Sequence, residues 1–145
     1  MKYWHLAENP TGKTYEQLIK LLCEHCDTFY FVTRKELSYN ESALEQFRSY
    51  LIETYQSKRW AGTVTQGPAA TIYVIKANTD TCKLLQQLSN SLYDWVAPHL
   101  PEDLTFLKNN AVWFSSTTHE KMGCFEVNED EQHLLHQIEG LKVEN

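Results

Sequence analysis

The sequence predicts an α+β domain in which a mixed or antiparallel sheet carries helices mainly on one face, in the order βαβαββαβββα. Three observations lead there. Segments with apolar residues at helical spacing alternate with short β-branched and aromatic runs. Two pairs of such runs flank turn residues, Gly67-Pro68 and Asn109-Asn110, which favour antiparallel hairpins over crossovers. No Gly/Ser/Pro-rich linker, repeat or low-complexity segment divides the 145 residues, and 42% hydrophobic content supplies one core, so residues 1–145 are expected to form one domain.

A short extended start at residues 3–6 leads through the turn Asn9-Pro10-Thr11-Gly12 to Thr14, which with Gln17 has the form of a capping box. Tyr15, Leu18, Ile19, Leu22 and Cys26 then recur at helical spacing and predict a helix reaching about Cys26. Residues 28–33, Thr-Phe-Tyr-Phe-Val-Thr, predict a strand buried on both sides. Asn40 is a good cap for a second helix of about four turns, with Ala43, Leu44, Phe47, Leu51 and Tyr55 on one face. Residues 62–65 and 70–75 read as a hairpin around Gly67-Pro68.

Asn78 or Thr79 should cap a third helix that turns Leu84, Leu85, Leu88 and Leu92 inward and ends near residues 91–95, before Pro98 and Pro101. Residues 104–107 and 112–115 form a hairpin through Asn109-Asn110, whose side chains tolerate positive φ. Residues 124–127 supply a further strand. Asn128 and Glu131 form a second capping-box pattern ahead of a final helix, in which Leu134, Leu135 and Ile138 face the core and Gly140 ends the run.

Charge excludes some functions. Thirteen basic residues against nineteen acidic give a formal charge of −6, and Arg34-Lys35 and Lys58-Arg59 are the only adjacent basic pairs. A phosphate backbone would be repelled, so nucleic acid is not an expected partner, whereas a basic protein surface would be attracted. Six carboxylates (Glu126, Glu129, Asp130, Glu131, Glu139 and Glu144) fall in the last twenty positions. The first residues lack the apolar run of a signal peptide, and no stretch approaches the ~18 apolar residues of a membrane span. A cytoplasmic location with no membrane partner is the expectation. Four cysteines there should stay reduced.

Cys23 and Cys26, in Leu-Cys-Glu-His-Cys-Asp, have a spacing that can hold zinc, run thiol chemistry or close a helix. A structural zinc site needs two more ligands. His133 and His136 share a helical face but lie far along the chain, with a spacing shorter than zinc fingers use. Redox chemistry wants the first cysteine at a helix amino terminus, and both fall at the predicted carboxyl end, where the dipole raises a thiol pKa. Cys26 is expected to pack as a small hydrophobe, with no metal and no cofactor bound.

His119 and Glu120 lie in a hydroxyl-rich loop, Ser-Ser-Thr-Thr-His-Glu-Lys, with no oxyanion donors or third group to complete a nucleophilic site, so no catalytic residue is assigned. Four Trp exceed what a minimal core needs, and aromatic residues anchor protein interfaces. Alternation points Trp113 and Phe114 to opposite sides of a strand, making one a candidate contact. The candidate binding residues are Trp95, His99, Trp113, His119 and Glu120.

Several segments resemble a group of small bacterial proteins labelled stage III sporulation protein AH. They are Tyr3-Trp4-His5, residues 23–27, residues 60–63 with 70–73, residues 100–104 and residues 116–121. The resemblance implies a sporulation-associated role and brings no catalytic residues with it. The functional expectation is a non-enzymatic protein-binding domain, of the immunity (toxin-neutralising) or phage-accessory kind, with a basic protein as partner. The alternatives are a small enzyme or zinc protein using His119/Glu120 or Cys23/Cys26, and a sporulation-associated protein.

Overall fold

The computed structural model describes residues 1–145. In chain order the elements are β1 (Lys2–Leu6), α1 (Gly12–His25), β2 (Thr28–Thr33), α2 (Glu41–Gln46), β3 (Leu51–Ser57), β4 (Arg59–Trp60) and β5 (Thr63–Val64). Then follow β6 (Ala70–Lys76), α3 (Thr79–Leu88), β7 (Glu102–Lys108), β8 (Ala111–Thr117), β9 (Met122–Val127), α4 (His133–His136) and β10 (Val143–Glu144). Eight strands form one sheet in the order β10-β1-β9-β8-β7-β2-β6-β3, and β4 and β5 form a separate small hairpin. Every pairing is antiparallel, so the α+β expectation holds with an antiparallel sheet.

The core follows from strand register. Ile75, Phe29, Phe106, Phe114, Phe125 and Trp4 are successive cross-strand partners, so their side chains line one face of the sheet. All four helices contribute to the cluster on that face: Tyr15, Leu18, Ile19 and Leu22 from α1, Ala43 from α2, Leu85 from α3 and Leu135 from α4. The opposite face carries a smaller cluster of Tyr30, Val32, Trp60, Ala70 and Ile72, where the β4–β5 hairpin brings Trp60 across the sheet. β2 is thus covered on both sides, as its composition predicts.

Several elements differ from expectation. The helix after Asn40 is short, and residues 51–57 are a strand. Asn40 does cap it, its Oδ1 accepting the Ser42 amide at 3.0 Å. Leu51 and Tyr55 continue the helical spacing of Phe47, but Ile52, Thr54 and Tyr55 favour extended backbone, and β6 offers a partner along the whole length of β3. The expected hairpin around Gly67-Pro68 does not form. β5 pairs back with β4 through Gly62 at φ +78, while β6 lies between β3 and β2. α3 stops at Leu88, with Leu92 buried in a separate 3-10 turn. β10 adds a strand the pattern does not announce.

Thr14 does not cap α1, which begins earlier, at Gly12. Its hydroxyl donates to the Glu139 carbonyl at 2.8 Å, and Gln17 Oε1 accepts the Glu139 amide at 3.3 Å. The two residues that read as a capping box therefore clamp the backbone after α4. Asn128 and Glu131 do form their box, and Asn109 and Asn110 both take the left-handed conformation of a two-residue hairpin loop, at φ 52 and 66.

Trp113 and Phe114 are both buried, at 3% and 0% exposure. Between β7 and β8 the register runs from Phe106↔Phe114 to Leu107↔Val112, which leaves Trp113 as the extra residue of a bulge. A bulge breaks alternation, so neighbouring side chains can join one core. The expectation that one of the two is an exposed contact is corrected on that ground.

Candidate functional site

The most chemically loaded part of the molecule lies where β7 begins, around two consecutive buried carboxylates. Glu102 is 3% exposed and Asp103 fully buried. Asp103 has φ 59, a left-handed conformation that Asp adopts more readily than bulky residues. Its Oδ2 accepts the Trp60 indole N–H at 2.8 Å and its Oδ1 accepts the Thr118 amide at 2.9 Å. Asp103 therefore ties the β4–β5 hairpin and the turn after β8 to the sheet.

Glu102 is differently partnered. Its Oε1 accepts the Tyr39 hydroxyl at 3.0 Å, while Oε2 lies 3.6 Å from Arg34 Nε and 3.8 Å from His119 Nδ1. His119 Nε2 is in turn 3.9 Å from Glu120 Oε1, so the exposed imidazole stands between two carboxylates. Burial pushes the Tyr39 phenol up, and the adjacent Glu102 carboxylate adds to that, which keeps Tyr39 a donor. Arg34 stacks its guanidinium 5.4 Å from the Trp60 ring centroid. Its Nε and Nη2 are buried without a hydrogen-bond partner.

Ligand atoms of Glu102, Asp103 and His119 lie within 4.8 Å of one another, close enough for one divalent cation. Two features oppose a cation there. Both oxygens of Asp103 already accept protein donors, and Arg34 supplies positive charge beside Glu102. The surrounding hydroxyls also serve the backbone: Ser116 donates to the Leu104 carbonyl at 2.7 Å and Thr118 to the Trp95 carbonyl at 2.6 Å. Neither is directed at His119.

The candidate binding residues do not converge. Trp95 is fully buried, its indole N–H donating to the Tyr15 hydroxyl at 2.9 Å, and cannot meet a partner. Trp113 is held in the core, stacked 5.9 Å from His25, with its indole N–H directed to Glu131 Oε2 at 3.3 Å. Both are corrected from contact to core for the reason that drives all large aromatic surface inward. His99 is exposed and lines a cavity of about 580 Å³ with Asn40, Ser42, Leu88, Asp94 and Leu100. His119 and Glu120 are exposed on the other side of the sheet, beside Glu102.

Cys26 packs in the main core at 5% exposure, as expected, and its thiol is pushed up to about 12 by burial. Cys23 does not pair with it. Its side chain lines a cavity together with Cys82 on α3. His133 and His136 belong to neither thiol, and His136 sits edge-on to Trp4 with ring centroids 5.3 Å apart.

Sequence reasoning missed Arg34, Tyr39, Glu102 and Asp103. The adjacent acids before the β run Leu-Thr-Phe-Leu were the available signal, since carboxylates opening a buried strand need partners. It also missed the sheet edge. Six of the seven residues of β3 are exposed, including Leu51 (40%), Ile52 (55%) and Tyr55 (44%). β3 pairs with β6 alone, so the backbone groups on its outer side face solvent. The other edge, β10, is only two residues long.

No helix is long and apolar enough to cross a membrane. No protein-family model, curated protein or solved structure matches the chain.

Proposed function

We propose that this chain is a non-enzymatic protein-binding domain, of the immunity or phage-accessory kind, which receives an extended segment of a basic protein along β3. The observation that carries the proposal is the edge itself: a seven-residue strand with Leu51, Ile52 and Tyr55 exposed and no proline or lysine to block pairing. An added strand gains main-chain hydrogen bonds, and alternate side chains supply specificity. The formal charge of −6 speeds encounter with a basic partner, and Glu53 in β3 offers it a local counter-charge.

The test compares three tagged forms: the unchanged chain, Ile52→Lys with Tyr55→Lys, and Tyr3→Lys as a control on β1, where Tyr3 is 52% exposed. Exposed substitutions of this kind leave stability within about 0.5 kcal/mol. A protein retained by the unchanged chain and the control, and lost by the β3 variant, supports the proposal. Recovery of no protein, or of one indifferent to the β3 changes, overturns it.

A second reading, an acid–base or cation centre, rests on His119 standing between Glu102 and Glu120 with Asp103 close by. Its discriminating property is a shift of the melting midpoint on adding a divalent metal.

A further inference from the structure

Between α1 and α3 lies a cavity of about 480 Å³ whose walls include Lys20, Cys23 and Glu24 from one helix and Asn78, Cys82 and Lys83 from the other. Both cysteines are half-buried, so each is held by packing yet reachable from the cavity. We propose that Cys82 and Cys23 form a peroxide-sensitive dithiol, with Cys82 the attacking thiolate, Cys23 the resolving thiol and a small hydroperoxide the oxidant.

Placement carries the assignment. Cys82 lies in the first turn of α3, a ten-residue helix capped by Asn78, whose Oδ1 accepts the Thr81 amide at 2.9 Å. The neighbouring Cys23 thiol lowers the Cys82 pKa. Burial and Glu24 resist that shift, and the ammonium groups of Lys20 and Lys83 assist it. Proximity to Cys82, with burial, pushes the Cys23 thiol up, so Cys23 keeps its proton. Cys26 and Cys124 are both raised by burial, which leaves Cys82 as the one cysteine whose pKa is lowered.

The chemistry balances without a bound cofactor. The Cys82 thiolate attacks one peroxide oxygen; a sulfur–oxygen bond forms, the oxygen–oxygen bond breaks, and the departing alkoxide or hydroxide takes up a proton. Cys82 is oxidised to a sulfenic acid and the peroxide is reduced to alcohol or water. Cys23 then attacks the Cys82 sulfur, a disulfide forms, and the hydroxyl leaves as water with the Cys23 proton. Two thiols and one hydroperoxide become one disulfide, one alcohol and one water. Both side chains line one cavity between the two helices, so the disulfide, about 2.05 Å between its sulfurs, closes across that cavity.

The experiment treats the full, reduced chain with one equivalent of hydrogen peroxide and maps its peptides without reduction. The expected product is a peptide pair linked through Cys23 and Cys82. Cys23→Ser should stop at the sulfenic acid, trapped on Cys82 by dimedone, and Cys82→Ser should give neither product. A readout that needs no variant is the order of alkylation by iodoacetamide near neutral pH, where Cys82 should react on the order of tenfold faster than Cys124. Equal alkylation rates, a disulfide joining any other pair, or a Cys23→Ser chain that yields no dimedone adduct on Cys82 would each overturn the proposal.

Discussion

Replacing Asp103 by asparagine changes one oxygen into an amino group and nothing in side-chain size. In the folded chain the two carboxylate oxygens receive different donors, the Trp60 indole at 2.8 Å and the Thr118 amide at 2.9 Å. Asparagine offers one acceptor and one donor, so either Trp60 or Thr118 must face an N–H instead of an oxygen. Because Asp103 is fully buried, water cannot fill the gap. One buried donor left unsatisfied costs about 1–3 kcal/mol. At about 2–4 °C per kcal/mol for a domain of this length, the melting midpoint should fall by about 2–12 °C.

Asparagine tolerates φ 59, so the change is not confounded by backbone strain. Thermal unfolding followed by circular dichroism measures the midpoint. A double-mutant cycle with Trp60→Phe isolates the contact, with an expected coupling of about 0.5–3 kcal/mol. A midpoint within about 1 °C of the unchanged chain, or a coupling indistinguishable from zero, would refute the account of Asp103 as the tie between hairpin, sheet and turn.

Tyr15→Phe should destabilise the chain by about 1–3 kcal/mol, read as a lower urea midpoint with an unchanged slope, because the buried Trp95 indole loses the hydroxyl it donates to at 2.9 Å. Burial resists ionisation of Glu131, but hydrogen bonds from Lys108, the Asn128 amide and the Trp113 indole outweigh it and hold the carboxyl below its ordinary value of 4.5. A lowered folded-state pKa contributes stability that is complete above the unfolded value and lost as pH falls through the folded one. Acid titration from pH 6 downward, monitored by Trp113 fluorescence, should therefore show loosening of the segment around α4 below about pH 4.5, and Glu131→Gln should flatten that limb. Zinc or manganese added to the chain should move its melting midpoint by less than about 1 °C, since both Asp103 oxygens already accept protein donors and Arg34 faces Glu102. A concentration-dependent rise, as a native-state ligand produces, would instead favour the cation reading of Glu102, Asp103 and His119.

Local chemistry made much of the fold legible. β2, the Asn109-Asn110 loop and the Asn128–Glu131 box each rest on residues whose conformational preference is strong and whose partners are near in sequence. Where two local codes overlapped, the pattern misled. Phe47, Leu51 and Tyr55 satisfy a helical period, yet Leu51 and Tyr55 lie on a strand because β6 was free to pair. Thr14 and Gln17 have the right types for a cap and serve a carbonyl and an amide at residue 139 instead. The surplus of tryptophans suggested a surface, but a bulge in β8 and the Tyr15 hydroxyl let Trp113 and Trp95 go inside.

The sequence alone determined class and composition: one α+β chain, acidic, with aromatic and β-branched runs enough for a sheet and amphipathic helices enough to cover one side of it. Those properties depend on residues close together, where spacing and propensity are decisive. Only the tertiary structure decided which groups meet. Cys23 was read beside Cys26, three positions away in the chain, and it shares a cavity with Cys82 of another helix. Glu102 and Asp103 have no assigned role in the sequence reading, and they are the buried acceptors of Tyr39, Trp60 and Thr118. Burial and long-range pairing set the chemistry of such groups, and neither has a period that a linear sequence displays.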